Sequence, residues 1–153
     1  ERIQACLKGE TTDRTPIALW RHFPNDDQNP ETLVAATLQY QSTYDFDIVK
    51  VTPSSSFAVK DWGVEDQWMG DAEGSRRYTR RIIHKPEDWE KLSTLDPASP
   101  HLAGQLACLR LIKQNLNSDT PLIQTIFNPL SQAKNLAGND LLLETSENIQ
   151  KLS

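Results

Sequence analysis

Residues 46–56 read Phe46-Asp47-Ile48-Val49-Lys50-Val51-Thr52-Pro53-Ser54-Ser55-Ser56. The run opens apolar and rich in β-branched residues, the composition of a buried strand. Pro53 and three serines then stop it. Lys50 interrupts the apolar pattern between Val49 and Val51. A charge at an interior sheet position is costly unless it is paired or reaches water. Either the end of the strand opens into a polar cavity, or Lys50 has a buried acidic partner. Strand alternation puts Ile48, Lys50 and Thr52 on one face and the two valines on the other. With the valines against helices, Lys50 points away from them.

Immediately upstream, Asn29-Pro30-Glu31 is a helix start: a capping side chain, a proline suited to the first position, and an acid at the positive end of the dipole. The predicted helix runs to about Tyr44, with Leu33, Thr37, Tyr40 and Tyr44 on one stripe. Before it, Pro16-Ile17-Ala18-Leu19-Trp20 reads as a short strand with Arg21-His22-Phe23-Pro24 as its exit. Strand, helix and strand in this space predict a βαβ unit with parallel pairing. A short helix over 1–9, ending at Gly9, precedes it.

Downstream, Glu65–Met69 and Arg76–Ile83 bracket a Gly-bounded loop, which predicts a β-hairpin within an excursion over about 57–83. One arm begins acidic and the other carries Arg76, Arg77, Arg80 and Arg81, so cross-strand charge pairs favour the antiparallel arrangement. A short helix follows Pro86. Leu102, Leu106, Leu109 and Ile112 predict a helix from His101 to about Asn115. Pro121–Phe127 is a third strand, Asn128-Pro129 its exit, and helical patterns follow from about Ser131 and over Leu141–Leu152. Three parallel strands, each followed by helix, fit the first part of a (β/α)8 TIM-barrel, or half of an open doubly wound sheet. No G-x-G-x-x-G or G-x-x-x-x-G-K-[ST] follows any strand, which weighs against a nucleotide fold.

The chain has 153 residues and a formal net charge of −5, which gives no reason to expect nucleic-acid or anionic-membrane binding. No apolar run approaches the ~18 residues of a membrane span. Cys6 and Cys108 lie far apart in helical patterns and read as buried free thiols of a cytoplasmic protein. Starting without methionine and stopping in mid-helix pattern, the chain reads as a fragment of a longer protein.

In a barrel of this type, chemistry sits at the carboxyl ends of the strands. That selects Lys50 and Ser54 as catalytic candidates, and Arg21, His22, Thr52 and Asn128 as substrate-binding candidates. Arg21 can clamp a carboxylate through its planar fork, or pair with Asp26 or Asp27. His22 can act as acid–base or simply bond backbone. Lys50 can hold a carboxylate or stabilise a carbanion. The serines can donate to a substrate oxygen or only turn the chain, and no G-x-S-x-G elbow surrounds them. Asn128 can contact ligand or make a turn. The histidines lack metal-ligand spacing to Cys6 or Cys108, so no metal site is assigned.

Taken together, TPIALWRHFP, ETLVAATLQYQSTYDFDIVKVTP and TPLIQTIFNPLSQAKNLAG resemble the uroporphyrinogen decarboxylase superfamily; WGVEDQW and RIIHKPEDWEKL resemble a divergent branch of it. The resemblance covers the whole chain but only the amino-terminal half of a family member. It implies a (β/α)8 barrel that decarboxylates acetate side chains without a cofactor, in porphyrin and heme metabolism, or a corrinoid-dependent methyltransferase using zinc. Arg21 falls on the family's first exit-loop arginine. The second arginine's place holds Asn25, the active-site aspartate's place holds Ser54, and the tyrosine's place holds Asn135, while the proline after the third strand matches at Pro129. The methyltransferase zinc ligands, a His-x-Cys pair and a distant Cys, belong to the half not present. The expected partner is a small anionic substrate. Exposed sheet edges of a partial barrel make a homodimer, or a truncated non-catalytic chain, the further expectation.

Overall fold

The computed structural model describes residues 2–117 and 119–143. In chain order the elements are α1 (Arg2–Leu7), α2 (Pro30–Tyr44), β1 (Val49–Val51), β2 (Glu65–Trp68), β3 (Arg76–Arg80), α3 (Pro100–Asn115), β4 (Leu122–Gln124) and α4 (Pro129–Ala137). Tight 3₁₀ turns occupy Lys60–Trp62 and Pro86–Lys91. The helical pattern expected over 141–152 lies, beyond residue 143, outside the described residues. No described helix is long and apolar enough to cross a membrane. The chain forms two compact units, Glu1–Ser54 with Gly104–Thr125, and Ser55–Ala103 with the residues from Ile126 on.

In the first unit β1 and β4 pair in parallel, Val49 opposite Leu122, Lys50 opposite Ile123 and Val51 opposite Gln124. Val49 and Val51 are buried in one cluster with Leu33 of α2 and Cys108 and Ile112 of α3. Alternation therefore sends the valines to the helices and Lys50 to the other face. Asn29 starts α2 by accepting hydrogen bonds from the N–H groups of Glu31 and Thr32 at 2.8 and 3.2 Å. Asp45 ends it in the left-handed region, at φ 49°. Gly104 lets α3 come close to the start of α2: a Cβ there would meet Pro30 Cγ at 3.2 Å, a tight contact.

Residues 16–20, expected as a strand, form none. The segment runs beside the entry to β1, and its bonds there are mixed. Asp47 N–H donates to the Ile17 carbonyl at 2.9 Å, but Ile17 N–H donates to the Asp47 carboxylate at 2.8 Å. A side chain has taken the place of a ladder acceptor. The same carboxylate accepts from Arg2 and, at 2.6 Å, from Arg14. Cys6 is exposed rather than buried, because α1 buries none of its residues. Cys108 is buried, and burial pushes its thiol up to about 11.

In the second unit β2 and β3 form an antiparallel hairpin, with Glu65 opposite Arg80 and Trp68 opposite Arg76, and an irregularity between Glu65 and Asp66. The Asp66 carboxylate is fully buried and pairs with Arg76 at 2.6 Å and Lys60 at 3.6 Å. Val59, Val64, Ile83 and Leu136 form the core, with Trp62 and Trp89 packed against it. The expected helix after Pro86 is only a 3₁₀ turn, which Asp88 closes by accepting from the N–H groups of His84 and Lys85. Arg81 fastens the end of α4 by donating to the carbonyls of Lys134 and Asn135 at 2.8 and 2.7 Å. A cation there suits the negative end of the helix.

Candidate functional site

Lys50 has an aromatic neighbour that its sequence position did not announce. Its ammonium lies 3.8 Å from the centre of the Trp20 ring. Attraction to the ring face offsets part of the cost of lifting the charge out of water. The pairing exists because residues 20–21 run alongside residues 50–52. Thr52 fixes that alignment: its buried hydroxyl donates to the Arg21 carbonyl at 2.8 Å. Lys50 and the Arg21 backbone therefore lie together at the carboxyl end of β1.

The Arg21 guanidinium is exposed. It sits 5.5 Å from the Phe23 ring centre and donates through Nε to the His22 carbonyl at 3.3 Å. His22 is half-buried on the same exit segment. Ser54 and Ser56 are folded inward, 3% and 0% exposed. Asn128 belongs to the second unit, where its side-chain oxygen caps α4 by accepting from Ser131 N–H at 2.8 Å. The first unit thus gathers Lys50, Arg21, His22 and Thr52 on two adjacent segments.

Trp20 is the residue of this group that sequence reasoning missed. Its local signal was present: a large aromatic immediately before the exit-loop arginine, in a segment expected to flank Lys50. A second missed pair lies in the other unit. Asp61 accepts from His101 Nδ1 at 2.8 Å, from His101 N–H at 3.1 Å and from Leu102 N–H at 2.9 Å. A carboxylate from the 60–62 turn thereby caps the start of α3. Burial would raise the Asp61 carboxyl, but the bonds from His101 and Leu102 outweigh it and hold the group below the usual range.

No three His, Cys, Asp or Glu side chains among the described residues converge as a metal site. The donors that zinc needs, three or four convergent nitrogen, sulfur or carboxylate ligands, are not supplied by these residues.

A family model described as uroporphyrinogen decarboxylase (URO-D) matches residues 1–146. No curated protein matches. Among solved structures, a methyltransferase from Methanosarcina mazei matches with a TM-score of 0.77 at 19% identity, over 99% of this chain and 48% of that one. At that identity the likeness shows the fold alone. The chain spans about half the length of the structure it matches.

Proposed function

The chain belongs to the uroporphyrinogen decarboxylase family, a family of TIM-barrel fold, and on that premise we propose that it contributes to an enzyme acting on a carboxylate-bearing small molecule. The observation that carries this reading is the placement of Lys50 and the Arg21 segment at the carboxyl end of one strand, joined through Thr52. Enzymes on this fold place their chemistry at that end. In the proposal Arg21, exposed and planar, engages a substrate carboxylate through two N–H groups. Lys50 supplies a second positive charge from a partly desolvated position, where it acts more strongly than in water. If the reaction is decarboxylation, the carbon–carbon bond breaks, carbon dioxide leaves, and the electron pair stays on the substrate carbon until it takes a proton. Lys50 would stabilise that pair. Thr52 acts as a positioning residue, because its hydroxyl hydrogen is committed to the Arg21 carbonyl. Ser54, buried just past the strand, is assigned a supporting role at the same site, and His22 a contact beside Arg21.

A second reading is methyl transfer. What favours it is that the similar solved structure is a methyltransferase. The described residues do not supply a zinc site.

The deciding experiment assays the intact protein in parallel for carbon dioxide release, with uroporphyrinogen as the first substrate, and for methyl transfer from a methylated corrinoid to a thiol. Carbon dioxide release, reduced about 10²-fold or more in kcat/KM by Lys50→Met and by Arg21→Ala, supports the first reading. Methyl transfer without carbon dioxide release replaces it with the second.

A further inference from the structure

Beneath Lys50, between α2 and the segment around residues 19–23, the first unit holds a narrow recess of ≈ 10 Å³. That is on the order of the room a single water requires. Most of its wall is apolar: Trp20, Phe23, Tyr40 and Phe46 line it. Phe23 and Tyr40 meet edge-on at 5.9 Å, and Tyr40 and Phe46 lie 5.4 Å apart.

Arg21 and Lys50 reach the rim of the recess, and α2 contributes two further polar side chains. Thr37 and Gln41 are four residues apart on α2, so they share a helix face, and both line the recess. Thr37 is 4% exposed. Its Oγ1 and the Oε1 of Gln41 are buried without a hydrogen-bond partner. Gln41's amide orientation is fixed, because its Nε2 donates to the Phe46 carbonyl at 2.8 Å. Its oxygen therefore needs a donor. The Thr37 hydroxyl needs an acceptor for its hydrogen. Buried polar groups are rarely left unmatched, and a bridging water is the usual remedy where two polar atoms meet in a space of this size.

We propose that the recess is an interior hydration site: one water molecule accepts the Thr37 hydroxyl hydrogen and donates to Gln41 Oε1. The water completes the polar pair that α2 presents to the recess. This inference does not depend on which reaction the protein performs.

Thr37→Val separates the two accounts by sign. Valine keeps the shape and removes one of the water's partners. With the water present, the substitution lowers the urea midpoint of the intact protein, because Gln41 loses its bridge. In a dry recess it raises the midpoint or leaves it unchanged, because it deletes an unmatched hydroxyl. Water-selective nuclear Overhauser spectra of the unsubstituted protein give a second readout that needs no variant. A cross-peak between a long-lived water and the Thr37 side chain supports the site. Its absence, or a Thr37→Val protein as stable as the parent, overturns it.

Discussion

At Lys50 the ammonium sits 3.8 Å from an indole centre, a contact of about 1 kcal/mol for a half-exposed pair. Trp20→Leu keeps an apolar contact and removes the ring. We expect stability to fall by about 1 kcal/mol and the Lys50 side-chain protons to lose an upfield ring-current shift in the ¹H–¹³C spectrum. An unchanged lysine spectrum would show that the two groups do not meet in solution. The anomaly at Lys50 was legible in the sequence because it is local, one charge in an apolar alternation. Its partner lies thirty positions earlier; the segment was expected to flank the strand, but no local pattern singles out Trp20 within it as the residue that meets Lys50. The same limit applies to Asp47, whose three donors come from Arg2, Arg14 and Ile17. Burial would raise its carboxyl, but these donors outweigh burial and hold it below the usual range. Asp88 is lowered to about 2, chiefly by Lys91 and then by the N–H of His84. Both groups have folded values below the unfolded value of about 3.9. Their contribution is therefore full above that value and is lost as pH falls through the folded values. The urea midpoint should hold near neutral pH and drop progressively below about pH 4. Asp47→Asn should lower the midpoint at pH 7 and flatten the acid slope. An acid slope identical to the parent's would rule Asp47 out of that loss.

Among the elements, α2 was the most legible, because cap, first-turn proline, acid and apolar stripe all agree. Asn29→Ala removes the acceptor for two N–H groups and should cost about 1 kcal/mol in chemical denaturation, with Asn29→Ser restoring most of it. The segment at 16–20 was not legible: its composition suits a strand, yet a carboxylate occupies a ladder position that only the folded chain reveals. Arg81 in the arginine run was similarly opaque, since it reaches back to the carbonyls at the end of α4. Within the hairpin, Asp66 and Arg76 have side chains 0% and 4% exposed. Removing Asp66 takes a carboxylate away from a buried guanidinium and from Lys60. Asp66→Ala should therefore cost about 3 kcal/mol or more, whereas the double change with Arg76→Met should recover much of that loss. A single variant as stable as the parent would mean that the Arg76 charge is compensated without Asp66.

For the molecule as a whole, the governing fact is the ratio of strands to barrel. A closed barrel of this class needs eight parallel strands, and the described residues supply one parallel pair. The helix-facing side of that pair is buried through Val49 and Val51. Its other side carries Ile123 at 50% exposure, and the flanking segment carries Ile17 at 48%, Leu19 at 59% and Trp20 at 53%. Large apolar side chains exposed in such number are candidates for cover by another surface, and a two-stranded sheet also offers two unpaired edges. In the solved structure that this chain matches, 48% of the length is accounted for. Produced as 153 residues alone, the chain should enhance the fluorescence of a hydrophobic dye and sediment as more than a monomer. Replacing Leu19 and Ile123 together by glutamine should reduce both signals, since each removes apolar area from the uncovered side. A monomer that melts cooperatively and leaves the dye dark would mean that these 153 residues satisfy their own sheet, and the half-barrel reading of the fold would fall with it.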